Sequence, residues 1–255
     1  MYNERSSKEY DQYEKGLKRS FWRYFRFSGL QEKNYRNKIV KNFLKEKKID
    51  NLRILELGGS KWSELIHDLF DERPKELICI NISPSEINLA KKEASKLGTR
   101  YKPKWLEMDA HELQFDDEYF DVILGFGMLH HLDLDIALSE IKRVLGPNGV
   151  AFFREPLDIN PILSLGRLFT PQARTEDEIP FKKIHLDKIE SFFPNAYFFF
   201  EQFFTFFTSP LVIIIPTIFR DSFIKIFYKL DKLLLKISIN IGYLFRSVFI
   251  VLKKN

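Results

Sequence analysis

Short apolar strands alternate with helical segments between residues 52 and 157, and this alternation constrains the fold more than any other feature. The predicted strands are Leu52–Leu57, Leu77–Ile82, Lys104–Met108, Phe120–Leu124 and Val150–Arg154. Helices are predicted from Ser83-Pro84 to Leu97-Gly98 and over Leu134–Leu145, with Ser83 as a helix N-cap and Gly98 as a C-cap. Apolar strands separated in this way indicate a parallel sheet that helices cover on both faces. Ligands bind beyond the carboxyl ends of such strands, so we expect the functional residues there.

Four sequence blocks follow one another along these strand ends. They are ILELGGS, INISPSEINLAKKEA, MDAHELQFDDEYFDVILGFGMLHHL and EIKRVLGPNGVAFFREPL. In this order they resemble the class I S-adenosylmethionine-dependent methyltransferases, and more narrowly the methyltransferase type 11-like proteins that accompany bacterial glycan and lipid biosynthesis. The resemblance is good over residues 35–160 and looser elsewhere. It implies a Rossmann-like α/β fold with a seven-stranded, mostly parallel sheet, an antiparallel last strand and helices on both faces.

The resemblance also implies S-adenosylmethionine as the cofactor. Glycines after the first strand let the backbone approach the methionine portion, and Asp109 is placed to accept a hydrogen bond from the adenine amino group. The implied cofactor residues are Glu56, Gly58, Gly59, Ser60, Asn81, Ile82, Asp109, Ala110, Gly125 and Phe126.

Three positions depart from the family's pattern. Ser60 and Trp62 stand where the family has glycines, and Asn81 stands where it has an acid that accepts both ribose hydroxyls. Asparagine keeps one acceptor oxygen and loses the charge, which costs about 1–2 kcal/mol, or about tenfold in affinity. The indole of Trp62 either fills part of the cofactor pocket or lies in the core between helix and sheet.

Candidate catalytic residues follow the fourth strand. His130 and His131 lie close to the expected methyl group, and one of them is a candidate base, which is needed only when the acceptor must lose a proton. Their rings alternatively cap the next helix. The other histidines show no metal-ligand spacing, so we expect no metal.

Acceptor contacts are predicted from a polar stretch after the fifth strand and from the N-terminal segment. The stretch REPLDINPILSLGRLFTPQARTEDEIP is interpreted as a lid over the acceptor, although polar residues at this density also form ordinary solvated loops. The candidate substrate-binding residues are Tyr13, Glu155, Arg167 and Arg174.

Charge is unevenly distributed along the chain. The net charge is +7 over residues 1–50, −7 over 51–160 and +5 over 161–255. Basic flanks suit either nucleic acid or an anionic membrane. The basic aromatic stretch SFWRYFRFSGL fits base stacking, an interfacial helix or a roof over the cofactor. Clustering of aromatic with aliphatic residues and the lack of an Asn-Pro-Pro-Tyr-like motif argue against nucleic acid.

The expected compartment is the cytoplasm. A single cysteine excludes an intramolecular disulfide framework. The first twenty residues contain no apolar run of the kind found in signal peptides.

The C-terminal third combines an apolar run with a basic helix. Gln202–Phe219 carries no charge over 18 residues, but Pro210 and Pro216 interrupt it, and residues from Tyr197 to Phe207 are predicted as the sixth strand. In the following segment FIKIFYKLDKLLLKISINI, apolar residues recur at helical spacing and four lysines share another face. Such a helix is typical of a membrane surface, and packing on the domain's own core explains its apolar stripe equally well.

These inferences combine into one expected organisation and function. Residues 1–50 are predicted as a helical cap and 51–255 as the methyltransferase domain, with an apolar and basic insertion at about 208–243 before an antiparallel edge strand, Phe245–Leu252. The expected acceptor is a lipid, an isoprenoid or a lipid-linked glycan intermediate, reached at the inner membrane face. A soluble small-molecule acceptor and a degenerate, non-catalytic binding module remain the alternatives.

Overall fold

A computed structural model describes residues 30–59, 73–96, 103–158, 160 and 179–254. Its centre is a seven-stranded sheet with the order β3-β2-β1-β4-β5-β7-β6. The strands are β1 (Arg53–Leu57), β2 (Glu76–Asn81), β3 (Lys104–Glu107), β4 (Phe120–Phe126), β5 (Leu145–Pro156), β6 (Tyr197–Glu201) and β7 (Ser247–Lys253). The predicted Rossmann-like α/β architecture is confirmed.

Six strands run in one direction and β7 runs against them. Parallel pairing joins β1 to β2 and β4, β2 to β3, and β4 to β5. The last strand pairs antiparallel with β5 on one side and with β6 on the other. The antiparallel last strand is therefore confirmed, but its predicted position at the edge was wrong. The edge is β6, because the fully buried run from Val248 to Leu252 needs neighbours on both sides.

Helices cover both faces of the sheet. They are α1 (Leu30–Leu44), α2 (Pro84–Lys96), α3 (Leu134–Val144), α4 (Lys183–Phe192), α5 (Phe204–Thr208) and α6 (Thr217–Ile237), with short 3-10 turns at Ile49–Asn51, Leu129–His131, Ser209–Ile213 and Ile239–Leu244. The buried side of α1 packs Ile39, Val40 and Leu44 against one face of the sheet. The opposite face packs against α3 and α4 through Leu138, Ile141 and Ile189.

The sixth strand is shorter than predicted. It ends at Glu201, and the backbone of Gln202 turns away with a positive φ of 68°. The next three backbone N–H groups, those of residues 203–205, donate to the carboxylate of Asp231 in α6 instead of to a neighbouring strand. The predicted strand Tyr197–Phe207 is therefore replaced beyond Glu201 by the short helix α5, which an aspartate remote in sequence caps.

The predicted insertion at about 208–243 covers α6 and the 3-10 turns on either side of it, all between β6 and β7, while α5 lies before it. In the parts of the chain that the structure describes, no helix is long and apolar enough to cross a membrane. The division of the chain at residue 50 stays a prediction. Helix α1, which precedes this boundary, shares one core cluster with β1 and β2, which follow it.

Candidate functional site

A cleft with about 510 Å³ of empty space, including the open solvent at its mouth, lies at the carboxyl ends of β1, β2, β3 and β4. This is the position where parallel α/β sheets bind ligands. Six of the predicted cofactor residues line it: Gly58, Asn81, Ile82, Asp109, Ala110 and Phe126. Its other lining residues are Ile80, Met108, Gly127, Met128 and Leu132.

Asn81 ends β2 and shapes the turn into α2. Its Oδ1 accepts a hydrogen bond from the backbone N–H of Ser83 at 2.8 Å. The Ser83 hydroxyl in turn accepts from the backbone N–H of Glu86 at 3.3 Å, which is the predicted N-cap of this helix. The amide that replaces the family's acid thus already uses its oxygen within the protein.

Asp109 is held by a histidine that also reaches the next helix. The backbone N–H of His111 donates to Asp109 Oδ1 at 2.9 Å, and His111 Nδ1 lies 2.7 Å from the same oxygen. His111 Nε2 accepts from the backbone N–H of Asp133 at 2.8 Å. Because Nε2 accepts, Nδ1 carries the proton and donates to the carboxylate. Asp133 is the N-cap of α3, so one imidazole connects Asp109 with the start of that helix.

Two glycines in the site satisfy different requirements. Gly58 has a φ of +70°, and a Cβ there would approach the Cβ of Met128 to 3.2 Å, so this glycine keeps the cleft open and the turn unstrained. Gly125 lies behind the cleft, where a Cβ would come within 2.8 Å of the Phe153 ring. Its predicted contact with the cofactor stays a prediction, and its evident role is close packing.

Glu56 lies beneath the glycine turn. Its carboxylate is buried, and its Oε2 accepts from the Cys79 thiol at 3.2 Å. Burial, reinforced by the nearby carboxylate, raises the pKa of the Cys79 thiol well above its usual value, so the thiol stays a proton donor. A Cβ at Gly59 would lie 3.6 Å from the same Glu56 oxygen. Neither Glu56 nor Gly59 lines the cleft, and their contact with the cofactor stays a prediction.

Glu155 organises the loop that carries the two histidines. Its side chain is fully buried. Oε1 accepts from the backbone N–H groups of Met128 and Leu129 at 3.2 and 3.0 Å, and Oε2 lies 2.6 Å from His130 Nδ1. An ionised carboxylate only accepts, so Nδ1 of His130 is the donor. Direct contact between Glu155 and the acceptor stays a prediction, while the geometry gives this residue a positioning role.

The two histidines are both nearly buried, with ring centroids 4.1 Å apart. His130 also borders a second cleft, formed with Leu132, Ile179, Phe181 and His185. This second cleft lies between the loop after β4 and α4.

Several predicted residues lie outside the described ranges. They are Tyr13, Ser60, Trp62, Arg167 and Arg174. The predicted lid and the indole at position 62 therefore stay predictions. Among the described residues, no cluster of three or more His, Cys, Asp or Glu side chains is arranged to hold a metal ion.

Sequence reasoning missed His111 and five residues that line the cleft: Ile80, Met108, Gly127, Met128 and Leu132. Gly127 and Met128 directly follow the predicted pair Gly125–Phe126, and the sequence GFGM offered a signal for extending the site by two positions. His111 follows Asp109 by two residues, the spacing at which a backbone N–H commonly donates back to an aspartate. Its second contact, to Asp133, depends on the tertiary fold and has no local signal.

Comparisons with known proteins agree with this geometry. Residues 55–153 match the family model described as a methyltransferase domain. The chain is 33% identical over 116 residues to the 2-methoxy-6-polyprenyl-1,4-benzoquinol methylase of Gallus gallus, covering 45% of this chain and 36% of that protein. It is 31% identical over 120 residues to the demethylmenaquinone methyltransferase of Bacteroides fragilis, covering 46% and 47% of the two chains. The matches thus span between a third and a half of these relatives.

Solved structures show the same fold over a longer stretch. The N-methyltransferase NodS from Bradyrhizobium japonicum, crystallised with S-adenosyl-L-homocysteine, superposes with a TM-score of 0.56 at 14% identity. The superposition covers 96% of this chain and 97% of NodS. At this identity the likeness extends to the fold.

Proposed function

We propose that this chain, whose residues 55–153 form a domain of the class I S-adenosylmethionine-dependent methyltransferase family, methylates a lipid, an isoprenoid or a lipid-linked glycan intermediate. The observation that carries the methyltransferase proposal is the cleft at the carboxyl ends of β1, β2, β3 and β4, lined by residues from all four strand ends. A single adenosyl ligand placed there touches loops that are distant in sequence.

The residues present fit S-adenosylmethionine. Gly58 leaves room for the methionine portion, since a Cβ at this position would crowd Met128. Asn81 would face the ribose, and Asp109 with the backbone of Ala110 would face the adenine. His111 fixes the carboxylate of Asp109 for that contact. Phe126 and Leu132 supply apolar walls to the same cleft.

When bound, this cofactor would supply an electrophilic methyl group, which passes to the acceptor as the thioether leaves in line, so positioning provides much of the catalysis. Where the acceptor must lose a proton, we assign the base to His130. Its Nδ1 donates to Glu155 at 2.6 Å, which leaves Nε2 as the proton-accepting nitrogen of the neutral ring. Burial of the pair restricts water around the ring.

The proposed class of methyl acceptor is supported by similarity to known proteins and by the residue composition of α6. Both curated relatives described above are named for quinone or quinol methylation, and the first carries a polyprenyl group in its name. Apolar and basic residues of α6 lie near the carboxyl edge of the sheet, in a position suited to a lipid acceptor. The protein would then act on the cytoplasmic side of a membrane.

Two alternatives make different predictions. A methyltransferase for a soluble small molecule shares the cofactor cleft and needs no apolar surface. A degenerate binding module has lost the cofactor, and Asn81 in place of an acid is the described feature that favours it.

The test combines calorimetry with a transfer assay. Titration of the full chain with S-adenosylmethionine should give one site with micromolar affinity, and radiolabelled methyl should move to a prenylated hydroquinone or a polyprenyl phosphate. No heat at millimolar cofactor would refute the enzyme and favour the binding module. Cofactor binding with methylation of soluble phenols or amines alone would refute the lipid acceptor.

A further inference from the structure

The helix α6 carries a row of exposed apolar residues in addition to those that pack inward. In this helix, all of whose backbone the structure describes, the buried residues are Ile224 and Asp231. Apart from Ile218 in the first turn, which is 77% exposed, five apolar residues are between 38% and 70% exposed: Phe219, Ile226, Leu230, Leu233 and Ile237. Surface helices of globular proteins normally show the reverse arrangement.

The five exposed residues form one narrow row. At 3.6 residues per turn they fall within a sector of about 60° around the helix axis. The exposed lysines Lys225, Lys229 and Lys236 lie together along one flank of this row. Lys225 is paired with Asp221 at 2.5 Å, one turn earlier. An apolar row bordered by cations is the arrangement of a helix that lies in the interface of an anionic bilayer.

Polar contacts on the inner side fix the orientation of this helix. Asp231 accepts from the backbone N–H groups of residues 203–205, directly after the carboxyl end of β6. Lys232 Nζ lies 4.1 Å from the centre of the Tyr35 ring in α1. These contacts hold the apolar row outward, at the same edge of the sheet as the cofactor cleft.

Neighbouring turns extend the apolar surface. Leu211 and Ile214 precede α6 and are 49% and 80% exposed, and Ile239 follows it at 59%. Other occupants of such a surface are a second copy of this chain and the segment before Leu30. The flank of lysines disfavours a copy that pairs through its own α6 face, which would bring the same lysines, and residues 1–29, which carry more basic than acidic side chains.

We propose that the outer face of α6, defined by Phe219, Ile226, Leu230, Leu233 and Ile237 with the lysines beside them, docks on the surface of an anionic phospholipid bilayer. The helix lies parallel to the membrane, with the apolar row at the level of the acyl chains and the ammonium groups at the phosphates. The proposal rests on the proposed function, since docking brings the cleft edge to a lipid acceptor, but its test needs neither cofactor nor acceptor.

Vesicle flotation of the full chain tests this proposal. Wild-type protein should float with vesicles of phosphatidylcholine mixed with phosphatidylglycerol, and much less with phosphatidylcholine alone. The triple variant Ile226→Ser, Leu230→Ser and Leu233→Ser should partition roughly a hundredfold less. Lys229→Gln and Lys236→Gln should each lower partition by about fivefold, and only on the anionic vesicles. The matched control is Leu89→Ser with Ile184→Ser, which removes comparably exposed apolar residues elsewhere and should float like the wild type.

Thermal unfolding shows whether the triple variant is folded, and its melting temperature should equal that of the wild type because the substituted residues are exposed. Wild-type protein that stays at the bottom with anionic vesicles, or a triple variant that floats equally well, would overturn the proposal. The proposal would also be overturned if the protein floated only after removal of residues 1–29, or if the wild type formed a dimer that is lost in the triple variant. Cofactor binding without flotation would refute docking alone, and flotation without cofactor binding would refute the enzyme alone.

Discussion

Asn81 shows how one atom can decide the strength of the cofactor site. Its Oδ1 accepts from Ser83 at 2.8 Å, and the other polar group of the side chain, Nδ2, only donates. Asn81→Asp would keep the first contact and add a charged acceptor for the ribose hydroxyls. We expect S-adenosylmethionine to bind about tenfold more tightly, because one charge-assisted hydrogen bond is gained. Isothermal calorimetry on the two proteins measures the difference.

Asn81→Ala is the matched control for this prediction. It removes the contact to Ser83 and should weaken cofactor binding while α2 keeps its serine N-cap. An aspartate variant that binds no more tightly than the wild type would show that position 81 does not face the ribose.

Glu155 offers a test of the proposed base. In Glu155→Gln the carboxamide retains an oxygen that accepts from the backbone N–H groups. It presents an NH₂ group to His130, so the N–H at Nδ1 of that ring loses its hydrogen-bond acceptor. For an acceptor that must lose a proton, we expect kcat to fall roughly a hundredfold, as when a general base is lost. Affinity for the cofactor should change little, which separates an effect on the base from collapse of the loop.

The control variant is Glu140→Gln, another carboxylate that accepts from a loop N–H, here that of Leu113. It should alter stability and leave the pH profile of kcat unchanged. If Glu155→Gln likewise left kcat and its pH profile at wild-type values, His130 would not be the base.

The strand ends were the residues that sequence could predict best. Gly58, Asn81 and Asp109 directly follow apolar runs, so their common location depends only on parallel strands. The roles of His111 and Glu155 were not predictable, because each contacts a partner more than twenty residues away. Such partners are set by how neighbouring strand ends align, which a single sequence does not specify.

At the scale of elements, prediction succeeded where burial dictates the pattern. The strands β1, β2 and β4 are largely apolar and buried on both faces, and they were placed to within about two residues. The sixth failed because its apolar run continues into α5, and the stop at Glu201 is imposed by Asp231 about thirty residues later. The place of β7 inside the sheet likewise depends on pairing rather than on composition.

The junction of α1, α5 and α6 contains three carboxylates and gives a pH prediction. Burial, and then the nearby Glu201, raise the pKa of Glu32 to about 7. The Thr205 hydroxyl lies 3.0 Å from Glu32 Oε1 and 2.7 Å from Asp231 Oδ2, and its single proton can serve only one of them. A protonated Glu32 resolves this, because it donates to the hydroxyl while the hydroxyl donates to Asp231.

A carboxyl group whose pKa is raised in the folded state stabilises the protein below its unfolded pKa, and this contribution is lost as pH rises through the folded value. As the pH rises from 4.5 to about 7, the free energy of unfolding should therefore fall by about 3 kcal/mol because Glu32 loses its proton. Glu32→Gln mimics the protonated form, so urea unfolding should find it more stable than the wild type at pH 8 and nearly equal at pH 5.

The exposed Glu46, beyond the end of α1, provides the control. Glu46→Gln should follow the wild type at both pH values. A Glu32→Gln protein that loses stability at pH 8 would mean that the ionised carboxylate is needed in this junction.

At the scale of the whole molecule, the distribution of charged and apolar residues along the chain was more informative than their totals. The net charge of +5 is uninformative, whereas the basic C-terminal third led directly to α6. The sequence allowed the apolar stripe of α6 either to pack on the domain's core or to face a membrane surface. In the structure, one part of the stripe packs inward and another part is exposed. Phe223, Phe227 and Leu234 are partly buried, while Ile226, Leu230 and Ile237 are exposed. Periodicity alone could not separate these two groups, because they lie side by side in one continuous apolar arc.

The buried carboxylate of Asp231 has a consequence for how this protein can change over generations. Since the Asp231 carboxylate and the inner side chains Ile224 and Leu234 hold α6 in place, its outer row is nearly neutral for folding. Mutations in this row can make the helix surface more apolar or more polar with almost no change in folding stability. The sheet and its cleft can therefore be inherited intact while descendants are retargeted from one cellular surface to another.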